Sequence, residues 1–143
     1  ANGITPQRMN IEHVIGESSK NLDIDIETRG NCDVEADFAL YSVFENLFNN
    51  AIIHGGASKV VVETAVEGDR CVITVSDNGK GFSQDIIDVL FDEGMSHGAN
   101  RGTGLGLYLV KYTVERYGGK VSAGNSMNGG AVFRMILPLW KDR

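Results

Sequence analysis

The stretch DFALYSVFENLFNNAIIHGG, residues 37–56, decides how the rest of the chain is read. Leu40, Phe44, Leu47 and Ala51 recur at the helical period and Gly55-Gly56 ends the run, so the spacing predicts a helix from Asp37 to His54 with one apolar side. At roughly 100° per residue, Asn46, Asn50 and His54 follow one another along a flank of that stripe, while Glu45 and Asn49 point well away from it. From the helix alone, three stacked polar side chains at a core boundary read first as groups capping the sheet edge or facing water, and only second as a binding surface. Their spacing suits Mg²⁺, a hard ion that takes oxygen ligands and uses one or two protein groups beside water and phosphate oxygens. An amide oxygen at Asn50 supplies such a ligand without adding negative charge next to a triphosphate.

Outward from this helix the pattern is mixed. Met9 to Ser18 has helical spacing of Met9, Ile11, Val14 and Ile15, and Leu22 to Thr28 alternates as a half-buried strand. Two strands follow the long helix, Lys59 to Val66 and Arg70 to Ser76, joined by the turn Glu67-Gly68-Asp69. Ser83 is placed to cap a short helix that buries Ile86, Ile87 and Leu90. Residues 94–102 are polar and glycine-rich without periodicity and are expected to be mobile. Leu105 to Tyr117 is helical again (Leu107, Val110, Val114, Tyr117), and Lys120 to Gly124 and Ala131 to Leu137 flank a turn at Asn128-Gly129-Gly130. No repeat or linker interrupts the 143 residues, so they read as one domain with its core at about 10–138. The expected architecture is an α/β (α+β) two-layer sandwich: a mixed, mostly antiparallel sheet with helices on one face.

Composition narrows the function. A formal net charge of −6 without a basic cluster argues against nucleic acid or anionic lipid as the main partner. A nucleotide ligand would then need a cation bridge, backbone amides and a few local positive side chains. There is no apolar run of membrane-spanning length. Cys32 and Cys71 stand far apart outside any CxxC or Cys/His cluster, and are expected as two small thiols in a reducing compartment rather than a disulfide or a zinc site.

Two glycine-rich segments complete the candidate chemistry. Asp77-Asn78-Gly79-Lys80-Gly81 directly follows a strand and by itself reads as a surface turn. It also suits a flat ligand: glycines allow close approach, and the Asp77 carboxylate accepts a hydrogen bond from an exocyclic amine such as that of adenine, which a keto group cannot offer. Arg101-Gly102-Thr103-Gly104-Leu105-Gly106-Leu107 lacks the strand context of a Rossmann turn and the Gly-Lys-Ser/Thr of a P-loop. It leads into a helix N-terminus, where free N–H groups and the helix dipole favour phosphate, and Arg101 adds a local cation. A flexible hinge entering a helix has the same composition.

Taken in order, Asn-Leu-Phe-Asn-Asn-Ala (46–51), Asp-Asn-Gly-Lys-Gly-Phe (77–82), Leu-Phe-Asp-Glu-Gly (90–94) and Gly-Thr-Gly-Leu-Gly-Leu (102–107) resemble the N, G1, F and G2 boxes of the GHKL superfamily, which has the Bergerat ATP-binding fold. The resemblance spans Asn10 to Pro138. It implies ATP or ADP with Mg²⁺ as ligand, Asn50 as the magnesium asparagine with Asn46 one turn before it, Asp77 as the adenine aspartate and His54 against the base. Gly79, Lys80, Gly81 and Phe82 would shape the base pocket, and Phe91 would anchor the lid. Arg101, Gly102, Thr103, Gly104, Leu105, Gly106 and Leu107 would surround the phosphates. Two positions depart from the pattern. Ile53 stands where many histidine kinases carry a basic residue, leaving Arg101, Lys80 and Lys111 as cations for that contact, and Ala131 stands where the terminal glycine hairpin often has Thr.

Within this superfamily the chain most resembles the catalytic domain of a sensor histidine kinase. Hydrolytic members place a glutamate four residues before the magnesium asparagine to activate water; here that position is Asn46, and Glu45 is rotated by about 100°. Anti-sigma-factor serine kinases share Asn-Ala-Ile-Ile-His-Gly (50–55) but usually carry the same glutamate, and a non-catalytic nucleotide-sensing module is the remaining alternative. His13, His54 and His97 do not match a phosphoacceptor motif. The resemblance therefore implies a cytoplasmic, monomeric catalytic piece without direct membrane contact. Its partner would be a dimerisation and phosphoacceptor domain of the same protein and, indirectly, a response regulator.

Overall fold

The computed structural model describes residues 5–93 and 106–142. In chain order the elements are β1 (Gln7–Asn10), α1 (Ile11–Ser18), β2 (Asp25–Arg29), β3 (Asp33–Ala36), α2 (Ala39–Asn49), a π-helical turn (Asn50–His54), β4 (Lys59–Glu67), β5 (Arg70–Asp77), α3 (Gln84–Ile87), α4 (Gly106–Arg116), β6 (Lys120–Asn125) and β7 (Ala131–Pro138). The main sheet runs β2-β4-β5-β7-β6. β2 is parallel to β4 and the other neighbours are antiparallel. β1 and β3 form a separate antiparallel ribbon that a bridge between Val34 and Leu139 ties to the end of β7. This is the expected two-layer sandwich.

Alternation along the strands puts the core on one side of the sheet. Val60, Val62, Cys71, Ile73, Val75, Phe133, Met135 and Leu137 are buried there, and Glu63, Thr74 and Arg134 occupy the alternate positions. The helical stripe Leu40, Phe44, Leu47 and Ala51 closes over them, joined by Val43 and Phe48. Asp77 ends the inward series 71, 73, 75, so its carboxylate emerges on the helix side, at the edge of the core.

The two long helices are antiparallel and locked at one end. Asp37 just precedes α2: it accepts the Ala39 N–H at 3.0 Å, the Tyr117 hydroxyl at 2.5 Å and the Arg116 guanidinium at 3.2 Å. Burial alone would raise the Asp37 carboxyl, but Tyr117, the Ala39 amide and Arg116 outweigh it and hold it below the usual carboxylate range. Burial, followed by the Asp37 hydrogen bond and charge, pushes the Tyr117 hydroxyl well up, so it remains a donor. The start of α4 is thereby set against the end of α2.

Several expectations need correction. The helix expected over 37–54 is α-helical only to Asn49. From Asn50 it widens, with the Gly55 N–H reaching the Asn50 carbonyl at 3.1 Å, five residues back. The opening helix begins at Ile11 rather than Met9, because residues 7–10 pair with β3, a strand too short to show alternation. β2 is shifted towards Arg29, and Ser83 precedes α3 without a side-chain cap bond. The cysteines are not free thiols: Cys32 and Cys71 form a disulfide. Cys32 lies between β2 and β3, and the Trp140 N–H to the Asp33 carbonyl, 2.9 Å, holds that connection to the chain that follows β7. Cys71 pairs in register with Leu137 at the same end of the sheet, so tertiary register brings together two residues separated by 39 positions.

Two outcomes follow from these joints. Cys32→Ser, or reduction of the native chain, lowers unfolding free energy by about 2–4 kcal/mol, the scale for a crosslink of this span, measured by denaturant melts with and without reductant; an unchanged midpoint contradicts the crosslink. The folded Asp37 carboxyl titrates below its unfolded value of about 3.9, so its stabilisation is complete at neutral pH and lost as pH falls through the folded pKa. The destabilisation caused by Asp37→Asn is therefore larger in melts at pH 7 than at pH 3.

Candidate functional site

Asp77 is the centre of the site. Its Oδ1 accepts the Gly79 N–H at 2.8 Å and the Ala131 N–H at 3.2 Å, which turns the loop after β5 and pins it to the start of β7. No hydrogen bond reaches Oδ2 among the described residues, so one carboxylate oxygen holds the scaffold and the other keeps its acceptor capacity. Asn78 fastens the loop from the other side. Its Oδ1 accepts the N–H groups of Ser58 and Lys59 at 2.8 and 3.0 Å, and its Nδ2 donates to the Ser58 hydroxyl at 2.9 Å.

The glycines here are required by neighbouring backbone. A Cβ on Gly130 would stand 1.9 Å from the Asp77 carbonyl, and one on Gly79 would stand 2.5 Å from the Gly55 carbonyl, which also accepts the Lys80 N–H at 3.0 Å. Gly81 adopts φ +71°, and a Cβ there would meet the Gly129 carbonyl and the Asn125 side chain. A side chain at Gly79 or Gly81 would collide with the protein's own backbone, so glycine is needed there to shape the loop itself.

The wall beside this loop is aromatic. The Phe82 ring stacks on His54, centroids 4.5 Å apart at 15°, and meets the Phe133 ring edge-on at 6.2 Å and 84°. The π-turn delivers His54 to that stack, since α-helical geometry does not continue past Asn49. Phe91 also meets Phe133 edge-on, 6.2 Å away at 76°. Exposed Lys80 lines an open pocket of about 490 Å³ with His54, Gly81, Phe82, Ser83 and Ile86; Asp77 is not part of its lining.

In the helix layer, Asn46 is half-buried and faces the first turn of α4: a Cβ on Gly106 would lie 3.4 Å from its Oδ1. Leu107 packs against the core behind that turn. Glu45 is exposed, so the carboxylate beside Asn46 does not share its half-buried position. Asn50 is also half-buried, and its amide has no hydrogen-bond partner among the described residues. Among the described residues, no cluster of three or more His, Cys, Asp or Glu could hold a metal unaided. An unpaired amide oxygen fits a hard cation that completes its shell from phosphate and water.

Ile53 is 60 % exposed and brings no charge to the site. Lys111 opens on a second pocket of about 340 Å³ with Phe91, Asp92, Glu93, Tyr108, Tyr112 and Glu115. Arg101, Gly102, Thr103, Gly104 and Leu105 lie outside the described residues, as does the 94–102 segment expected to be mobile. Sequence reasoning did not single out Asn78 or Asn125. Asn78 enters only as a turn residue of the 77–82 block and Asn125 belongs to no motif, and only tertiary register reveals what their amides hold.

A family model described as "Histidine kinase-, DNA gyrase B-, and HSP90-like ATPase" matches residues 35–141. The chain belongs to this family. Among relatives within it, signal transduction histidine-protein kinase AfsQ2 of Streptomyces coelicolor is 39% identical over 100 residues, covering 67% of this chain and 18% of that protein. Sensor protein KdpD of Escherichia coli K12 is 31% identical over 142 residues, covering 91% of this chain and 16% of that protein. The chain thus spans less than a fifth of the length of these two relatives. The mycobacterial sensor histidine kinase MprB has the same fold, with a TM-score of 0.82 at 21% identity over 96% of this chain and 100% of that one. The ATP binding domain of PrrB from Mycobacterium tuberculosis gives 0.79 at 23% identity, over 96% and 100%. These likenesses bear out the ATP-binding sandwich expected from the four blocks. No helix among the described residues is long and apolar enough to cross a membrane.

The contact between Gly130 and Asp77 generates a paired outcome. Gly130→Ala forces β7 away from the Asp77 backbone and destabilises the domain by about 1–3 kcal/mol, the scale of overpacking. Gly124→Ala, at a position with open space and ordinary φ, stays within about 0.5 kcal/mol of the parent. Thermal or urea melts of the two variants check this, and equal effects contradict the close-approach reading.

Proposed function

We propose that this domain binds Mg·ATP and donates the γ-phosphoryl group to a histidine on a separate dimerisation domain of the same protein, as the catalytic part of a two-component sensor kinase. The observation that carries the reading is Asn46. The half-buried position one turn before Asn50 holds an amide, so no carboxylate base stands where a hydrolytic member would activate water. An imidazole acceptor needs little such help. Its ring nitrogen attacks the γ-phosphorus, the bond to the β–γ bridging oxygen breaks, ADP leaves and the imidazole proton is released. The names of the relatives as sensor histidine kinases support the same reading.

In this scheme the protein works by positioning and charge neutralisation. The open Oδ2 of Asp77 accepts the exocyclic amine of adenine, and the His54–Phe82 stack lies against the base. Asn50 is the residue that would hold Mg²⁺, which when bound supplies positive charge to the phosphates. Arg101 and the amides of 102–107 complete the phosphate site, compensating for the net charge of −6. His13 lies in Glu-His-Val-Ile-Gly, which is not a phosphoacceptor motif, and His54 stacks on Phe82, which supports an acceptor histidine elsewhere in the protein. Transfer onward to a response regulator, and work on the cytoplasmic side where ATP is held, follow from this role.

The test mixes this domain with a separate histidine-bearing dimerisation domain and γ-labelled ATP. An acid-labile, base-stable label on the acceptor histidine is the expected product, absent with Asp77→Asn. An acid-stable label contradicts histidine transfer and moves the assignment to the serine-kinase branch.

A further inference from the structure

The loop from Asp77 to Phe82 is gripped at both ends by one hairpin. At its start the Ala131 N–H holds Asp77 Oδ1. At its end Asn125, the last residue of β6, closes two hydrogen bonds on a single residue: its Oδ1 accepts the Phe82 N–H at 2.9 Å and its Nδ2 donates to the Phe82 carbonyl at 2.6 Å. Only an amide meets both needs, since a carboxylate cannot donate and a hydroxyl is too short to span both groups at once. The loop has little room to slide, because a Cβ on the intervening Gly81 would already stand 2.1 Å from the Gly129 carbonyl and 2.6 Å from Asn125 Oδ1.

The consequence falls on Phe82. Its ring is the partner of His54 and lies edge-on to Phe133, so the residue whose backbone Asn125 fixes is the one that forms the aromatic wall. Asn78 anchors the acidic end of the loop to β4 and does not reach Phe82. We infer that Asn125 is a positioning residue of the base pocket: its two-bond clamp on Phe82 sets the distance between the His54–Phe82 wall and the Asp77 carboxylate. It thereby sets affinity and selectivity for an adenine nucleotide. This inference rests on the nucleotide reading above. Asn125 is itself exposed, at the end of a strand, so its substitution acts on the loop rather than on the core.

The test compares the parent chain with Asn125→Ala, Asn125→Asp and Asp77→Asn. Mg·ADP affinity is measured by calorimetry, GDP by competition against a fluorescent ATP analogue, and the His54 ring protons by NMR. Both Asn125 variants are expected to bind ADP about three- to tenfold more weakly, the scale of losing one or two hydrogen bonds. Their preference for ADP over GDP shrinks, the His54 resonances shift, and the unfolding midpoints stay within a few degrees of the parent. Parental ADP affinity in both variants overturns the inference. An equal loss for ADP and GDP also overturns it, because the effect is then general loosening rather than control of the base pocket. If Asp77→Asn binds ADP like the parent, the nucleotide reading fails and Asn125 falls with it. If only the Asn125 variants are silent, the nucleotide reading stands alone.

Discussion

One carboxylate oxygen organises this domain. Asp77 Oδ1 accepts the N–H of Gly79 and the N–H of Ala131, and these bonds join the end of β5, the glycine loop and the start of β7. The strand alternation that buries Cys71, Ile73 and Val75 delivers Asp77 to the same side of the sheet, at the edge of the core. Gly130 has to be glycine because the joint brings its Cα against the Asp77 carbonyl. The other carboxylate oxygen has no hydrogen-bond partner among the described residues, so the bonds that shape the loop also fix its orientation.

The helix layer supplies the opposite wall by an independent device. Tyr117 and Arg116, at the end of α4, meet Asp37 at the start of α2, which fixes the antiparallel pair and sets Gly106 against Asn46. The π-turn after Asn49 then changes the angular step, and His54 lands on Phe82. A wider turn costs regular helical hydrogen bonding, and such turns recur at functional sites. The widened turn also exposes the Gly55 carbonyl, which receives the Lys80 N–H and ties helix to loop.

Much of this is legible in the sequence. The stripe Leu40, Phe44, Leu47, Ala51 and the series Val110, Val114, Tyr117 announce their helices because burial on one side imposes the period. β4 and β5 are marked by alternation across a tight turn, and the Asp77 to Phe82 block by its glycines. The ribbon strands β1 and β3 were hidden because four residues give alternation no length to register. The π-turn was hidden because Asn50 to His54 has a composition any helix accepts. The disulfide escaped because linear spacing and an assumed reducing compartment say nothing about which loop crosses which strand end. Asn78 and Asn125 escaped for a related reason: a lone asparagine reads as a turn former until the backbone it bonds, 20 or 43 residues away, is known.

The central claim is that Asp77 offers a preformed acceptor to an adenine amine between loop and aromatic wall. A crystal structure of the domain with Mg²⁺ and a non-hydrolysable ATP analogue bears on it immediately. The expected result is the exocyclic amine within hydrogen-bond distance of Asp77 Oδ2, with the bonds from Gly79 and Ala131 to Oδ1 retained and the base beside the His54–Phe82 stack. A base seated elsewhere, or an Asp77 side chain that must abandon Gly79 and Ala131 to reach it, contradicts the claim.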